Sequence, residues 1–90
     1  MKRTDVYEQI DKERDFQDSL TKTAFRHNVA DRSVPAEIVM IQTYLNHAIR
    51  EFTDYYGDEK ALHQIRKLVA LGVRCLENHG CPRREKIVLD

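Results

Sequence analysis

The feature that most constrains the fold of this chain is the segment from Ala61 to Leu76, ALHQIRKLVALGVRCL, which predicts a helix with one polar stripe. His63, Lys67 and Arg74 follow one another at i, i+4 and i+11, so they project from one side of a helix with 3.6 residues per turn. Most of the remaining surface is apolar, which predicts that the helix is buried on most sides. A buried row of cations holds either carboxylates of its own protein or an anionic group from outside.

The length of the chain predicts a single domain over residues 1–90, near the size at which one hydrophobic core is marginal. Two cysteines, Cys75 and Cys81, are too few for a disulfide scaffold, so homo-oligomerisation is the expected route to stability. The sequence has neither a signal-peptide pattern nor an apolar run of the roughly 20 residues that a membrane span needs. We therefore expect a cytoplasmic protein with reduced thiols and no membrane association.

The charges are balanced overall, with 15 basic and 15 acidic residues, which argues against a general or sequence-specific nucleic-acid binder. They are distributed unevenly. Residues 60–86 hold seven Lys and Arg against two Glu, whereas residues 1–59 hold eight basic and twelve acidic side chains. Either the two halves neutralise each other in the fold, or the basic part forms a local pocket for a phosphate-bearing ligand.

The first predicted helix runs from Thr4, as its N-cap, to near Leu20. Its apolar stripe begins at Val6 and continues at i+7 and i+11 into Glu13 and Gln17. This pattern is typical of a helix that emerges from the core. The alternative is that Glu13 and Gln17 line a polar site.

An irregular connection is predicted for residues 21–33, with Phe25 and Val29 packed beneath it. Ser33 is a good N-cap for the second helix, and Gly57 ends that helix. Apolar residues recur along it at spacings of four and three, which predicts the seam of a packed helix pair. The seam consists of Val34, Ile38, Ile41, Leu45, Ala48, Phe52 and Tyr55.

Asp58 is the predicted cap of the third helix, which closes at Gly80 with Pro82 two residues beyond. Residues 81–90 form a polar tail, and its short apolar end predicts an edge strand or a clasp onto a neighbouring subunit. No other segment has a strand pattern. The predicted class is therefore all-α, a three-helix chain that assembles into an oligomeric helical bundle.

One polar face of the second helix carries Thr43, His47, Arg50 and Asp54 at i, i+4, i+7 and i+11. If the second and third helices pack antiparallel, this face lies near His63 and Lys67. Such a set offers many donors and few anionic acceptors, so it suits a phosphate better than a divalent cation. The alternative is that these are solvated helix faces, with Tyr44 in the core rather than against a base. The predicted ligand-binding residues are Glu13, Gln17, Thr43, Tyr44, His47, Arg50, His63, Lys67 and Arg74.

Cysteine and histidine chemistry is not favoured by the spacing. Cys75, His79 and Cys81 lack a fourth ligand in an obvious place, whereas structural zinc sites use four. A Cys81–His79 nucleophile pair has no orienting group or oxyanion hole in sight. We therefore predict no metal, no cofactor and no catalytic residue.

With these residues in view, the chain resembles the MazG-type family of all-α nucleoside-triphosphate pyrophosphohydrolases, specifically its short phage-borne members. The resemblance covers roughly residues 6–84. It rests on IDKERDFQD (Ile10–Asp18), similar to the family's I-x-x-E-R-x-x-Q-D, on IVMIQTYLNHA (Ile38–Ala48), and on ALHQIRKLVALGVRCLENHG (Ala61–Gly80).

The departure from the family lies in its metal-binding carboxylates. The resemblance implies an E-E-x-x-E run on the second helix, and those positions hold Thr43, Tyr44 and His47. The family's E-x-x-[DE] pair on the third helix falls near His63 or Gln64 and at Arg66 or Lys67. None of these residues is acidic, and Mg²⁺ is bound through carboxylate oxygens. The sequence thus resembles a family member that has lost hydrolysis.

Three functions follow as expectations. The first is a catalytically inactive protein that binds and sequesters a phosphorylated nucleotide, in phage a sponge for a nucleotide signal of host defence. The second is a metal-dependent pyrophosphohydrolase with ligands from elsewhere in the chain. The third is a structural helical oligomerisation module. The carboxylates available to the second are Glu13, Glu37, Asp54 and Glu59.

Overall fold

A computed structural model describes residues 1–21, 32–55 and 57–85 of the chain. These residues form three α-helices, α1 (Arg3–Thr21), α2 (Val34–Tyr55) and α3 (Asp58–His79). No strand occurs within the described residues, so the predicted all-α class with three helices is confirmed. The predictions for Phe25, Val29 and the apolar end of the tail lie outside them.

The ends of α1 and α2 are set by local capping. Thr4 as the N-cap of α1 is wrong, because the helix begins at Arg3 and the Lys2 amide donates to Asp5 Oδ2 at 3.1 Å. The Asp5 carboxylate accepts from the amide at the start of the helix, as the acidic residue of a capping box does. The hydroxyl of an N-cap residue accepts instead from an amide further along the first turn. Ser33 as the cap of α2 is confirmed, since its Oγ accepts from the Ala36 amide at 3.3 Å.

Glycines flank both ends of α3. The N-cap is Gly57, so Asp58 as the cap is wrong; it lies in the first turn, where a carboxylate still favours the helix dipole. The predicted end at Gly80 is confirmed: its φ of 102° suits glycine, and its amide donates to the Leu76 carbonyl at 2.8 Å.

Packing is organised around α3, which contacts α2 along most of its length and α1 on another side. The start of α2 meets the end of α3, so the two helices are antiparallel, as predicted. The hydrophobic core of the described residues is small. It consists of Ile10, Ala48, Ala61, Ala70 and Leu71.

A large apolar surface is left uncovered on α2 and α3. Four residues of α2 and four of α3 form stripes about 60° wide, at about 100° per residue, and each is 41–60% exposed. We call these stripes the apolar face: Ile38, Leu45, Ile49, Phe52, Leu62, Ile65, Val69 and Leu76.

The apolar face corrects two predictions for the single chain. Within the single chain α3 is not buried on most sides, because α1 and α2 leave this side of it open, so its predicted burial depends on the expected oligomer. The predicted seam of α2 is wrong in part: Ala48 is buried against α3, but Ile38, Leu45 and Phe52 are exposed. The apolar periodicity identified helix surface that needs to be buried. One chain does not have enough helix surface to cover it.

The lengths and compositions of the helices bear on the expectation of no membrane association. Within the described residues, none is both long and apolar enough to cross a bilayer.

Candidate functional site

A cavity of about 250 Å³ lies where the three helices meet, on the side of the α2–α3 pair away from the apolar face. On both helices, the residues that line it stand between about 100° and 170° around the helix from the middle of the apolar stripe. The lining residues are Glu13, Phe16, Gln17, Leu20, Arg32, Met40, Tyr44, Lys67, Leu71 and Arg74.

A buried ion pair forms one wall of the cavity. Arg74 Nη2 donates to Glu37 Oε1 at 2.8 Å, and the two side chains are 3% and 1% exposed. Arg32 Nη1 lies 3.4 Å from the same oxygen. Arg74 Nε is buried without a hydrogen-bond partner in the described part of the chain. The predicted basic row therefore supplies at least one cation to the protein's own carboxylate.

The carboxylate of the α1 wall is also paired. Arg66 Nε donates to Glu13 Oε1 at 2.8 Å, and the Glu13 side chain is only 9% exposed. The Arg66 guanidinium also lies 2.5 Å from His63 Nδ1, on the far side from the cavity. The ion pair with Arg66 thus largely neutralises the negative charge of Glu13.

Among the described residues that line the cavity, Lys67 is a cation whose side chain has no ion-pair partner. Its ammonium group has no ion pair or hydrogen bond within residues 1–21, 32–55 and 57–85, and the residue is half-buried. Its backbone carbonyl accepts from Gln17 Nε2 at 3.3 Å, which fixes α1 against this turn of α3. Charge and hydrogen-bonding capacity are therefore left over at the cavity.

The net charge of the site is the sum over the charged residues that line the cavity and their ion-pair partners. Arg32, Lys67 and Arg74 line the cavity with Glu13, and the partners are Arg66 and Glu37. Four cations against two carboxylates leave a charge of +2. A site in a low-dielectric wall with this excess attracts anions.

Arg14 holds the α1 wall in place. It is 6% exposed, its Nε and Nη2 donate to the two Glu77 oxygens at 3.0 and 2.8 Å, and its Nη1 donates to Gln17 Oε1 at 3.2 Å. The bidentate bond to Glu77 raises the pKa of Arg14, and the same bond lowers the pKa of Glu77 below its usual value of 4.5. A second carboxylate, Asp18, accepts from Arg14 Nη2 at 3.0 Å.

This pair predicts a pH dependence of stability. Because the pKa of Glu77 is lower in the fold, its contribution is present above pH 4.5 and is lost as the pH falls through the folded value. Glu77 is 51% exposed, so we expect Glu77→Gln to lower the free energy of unfolding by only about 0.5–1 kcal/mol at pH 7. Urea titrations of both proteins at pH 7 and pH 3 should show the difference closing at acid pH. A difference that persists at pH 3 would contradict this role.

The structure brings together five of the nine predicted ligand-binding residues. These line the cavity: Glu13, Gln17, Tyr44, Lys67 and Arg74. The alternative stated for Glu13 and Gln17, that they line a polar site, describes where they lie.

The other four predicted residues lie away from the cavity lining. Thr43 Oγ1 donates to the Val39 carbonyl at 3.0 Å, and Arg50 is exposed. His47 contacts the Tyr44 ring edge-on, with centroids 5.4 Å apart. His63 lies with Arg66 beside a separate apolar groove between α1 and α3. These side chains lie on the same helices as cavity residues, but they do not line the cavity.

Sequence reasoning missed Arg32, Phe16 and the role of Glu37. Arg32 precedes the cap of α2, and its carbonyl lies 2.8 Å from His79 Nε2, so the end of α3 holds it. Glu37 was considered only as a metal ligand. Its position at i+4 from Ser33 placed it in the first turn, but nothing in the pattern indicated burial against Arg74.

Metal binding would need several ligating side chains close together. Within the described ranges, no three His, Cys, Asp or Glu side chains come together in a way that would hold a metal ion. Glu37 and Glu13, the two carboxylates at the cavity, are each bound to a guanidinium. These residues do not fit the Mg²⁺ site of the pyrophosphohydrolases.

Comparison of the chain with protein-family models, curated proteins and solved structures found no match. The resemblance to the MazG-type family therefore rests on the sequence motifs, and the function is argued from the site.

Proposed function

We propose that this protein is a catalytically inactive MazG-like protein that binds a phosphorylated nucleotide in the cavity between its three helices. The observation that carries the proposal is the excess of +2 at a partly enclosed cavity, with the ammonium group of Lys67 unpaired among the described residues. Donors that converge on a cavity with apolar walls are typical of small-ligand sites. In a phage, such a protein would act as a sponge for a nucleotide signal made by host defence.

Retention rather than turnover is supported by the chemistry of the walls. The resemblance places the Mg²⁺-binding carboxylates of a pyrophosphohydrolase at Thr43, His47 and Lys67. Of these three, Lys67 lines the cavity, and the nearby Glu37 is bound to Arg74. Without carboxylate ligands there is no metal to activate a water molecule. The hydrolase remains the alternative, and release of pyrophosphate from nucleoside triphosphates with Mg²⁺ or Mn²⁺ would favour it.

We also propose that a second copy of this chain covers the apolar face. The described core contains two large side chains and three alanines, which is little for a chain of this length. The radius of gyration, 14.7 Å, exceeds the roughly 12 Å expected for a compact chain of 90 residues. If this assembly forms but no ligand binds, the structural helical module becomes the better interpretation.

Gly72 supports close approach at this face. It lies inside α3 between Val69 and Leu76, and a Cβ added to it would meet no atom within 4 Å. A glycine in a helix interior costs about 1 kcal/mol relative to alanine, and no contact among the described residues explains it. Close packing of the backbone of a second copy against this turn would explain the glycine.

The nucleotide site predicts the effect of Lys67→Ala. Charge-assisted bonds to a phosphate contribute about 1.5–3 kcal/mol, so this variant should bind nucleotide about tenfold to a hundredfold more weakly. Calorimetry against a panel of mono-, di- and cyclic nucleotides measures it. Lys12→Ala is the matched control, because Lys12 is an exposed lysine whose 3.6 Å pair with Glu8 lies on the surface of α1.

Two results would count against the site. If no nucleotide of the panel binds the wild type better than about millimolar, the proposed function is wrong. If Lys67→Ala and Lys12→Ala bind equally well, the nucleotide does not occupy this cavity.

A further inference from the structure

We propose that the ligand is a nucleoside monophosphate, whose phosphate lies between Arg32 and Lys67 and whose base stacks on Phe16. This inference rests on the nucleotide-binding function proposed above and narrows its ligand class. Three properties of the cavity carry it: volume, charge and the aromatic side chain at its mouth.

The volume limits the ligand to one nucleotide. Pockets for drug-sized ligands measure roughly 300–1,000 Å³, and this cavity, at about 250 Å³, falls below that range. A cyclic dinucleotide or an ADP-ribose derivative carries two nucleotide-sized parts and would leave one of them outside. A single nucleotide with one phosphate is the smallest of these ligands and leaves least of itself outside the cavity.

The charge favours a terminal phosphate over a cyclic one. Arg66 cancels Glu13, and Arg32 and Arg74 share Glu37, so the excess of +2 is one charge on this shared cluster and one on Lys67. A phosphate monoester carries about −1.5 to −2 at pH 7, whereas a cyclic phosphodiester carries a single negative charge. The monoester matches the excess, and it presents three oxygens to the guanidinium and ammonium groups.

The base has a platform on α1. Phe16 lines the cavity and is still 56% exposed, so part of its ring is accessible to a bound ligand from solvent. Stacking of bases on aromatic side chains is general for nucleotide sites, and it tolerates different bases. Phe16 therefore distinguishes a nucleotide from a simple sugar phosphate.

The test compares AMP, GMP, 3′,5′-cyclic AMP, cyclic di-AMP and ribose 5-phosphate by calorimetry. We expect the two monophosphates to bind at least about tenfold more tightly than either cyclic compound. Phe16→Ala should weaken AMP binding about fivefold to a hundredfold and leave ribose 5-phosphate unchanged. Tyr7→Ala, which removes an exposed aromatic ring of α1 that does not line the cavity, should change neither.

Phe16→Trp gives a direct readout of stacking, because the sequence contains no tryptophan. Its fluorescence should be quenched on addition of AMP and unchanged by ribose 5-phosphate. Cyclic compounds that bind as tightly as AMP, or a Phe16→Ala variant that loses AMP and ribose 5-phosphate equally, would overturn this inference while nucleotide binding stands. If no compound binds, the proposed function itself fails.

Discussion

Replacing Glu37 with alanine is expected to lower the free energy of unfolding by about 3–5 kcal/mol, because it leaves the Arg74 guanidinium buried without a counterion. The Glu37 and Arg74 side chains are 1% and 3% exposed, and Glu37 Oε1 lies 2.8 Å from Arg74 Nη2. Arg74 Nε has no hydrogen-bond partner in the described residues. Urea unfolding at one fixed protein concentration measures the change, since assembly would make stability depend on concentration.

A double variant separates the loss of the pair from the loss of packing. Glu37→Leu with Arg74→Met removes both charges and keeps apolar volume, so it should be destabilised less than Glu37→Ala alone. Glu8→Ala is the surface control, because Glu8 is 63% exposed in a pair with Lys12. A Glu37→Ala variant no less stable than Glu8→Ala would show that the pair is not buried as described.

Ile49→Lys is expected to weaken self-association at least about hundredfold, because it places an unpaired charge within the apolar face of each copy. Ile49 is 58% exposed in the single chain, so the substitution itself removes little packing within the subunit. Sedimentation over a range of protein concentrations measures the shift from assembly to monomer.

Val39→Lys is the matched control for this experiment. Val39 is on the same helix and 63% exposed, but it lies about 80° beyond the edge of the apolar stripe, on the side away from α3. It should associate like the wild type. A wild-type protein that sediments as a compact monomer of 10.6 kDa at micromolar concentration would remove the basis of the proposed assembly.

The helices were predictable because periodicity and caps are local properties of the sequence. Ser33 and Gly80 set helix ends through bonds that span three or four residues, and the structure confirms both. Thr4 and Asp58 were wrong because each lies inside the first turn of its helix rather than before it. These errors move the start of α1 by two residues and the start of α3 by one, and they change no contact of the cavity.

The site was predictable only in part, because spacing identifies a helix face but not which helix crosses it. Lys67 and Arg74 of the polar stripe of α3 line the cavity. His63 belongs to the same stripe, but it lines another groove, between α1 and α3, and His47 is not among the lining residues of either. Burial of Glu37 depends on a contact across 37 residues of sequence, which no local pattern encodes.

The opposite placement of the cavity and the apolar face determines how an assembly would take up ligand. Two copies joined through their apolar faces would carry their cavities on the two outer sides, and each cavity is lined by residues of one chain. Every subunit would then bind one ligand on its own, and occupancy would rise with concentration without cooperativity. The capacity of such a protein to lower the free concentration of a small molecule would scale with the number of chains.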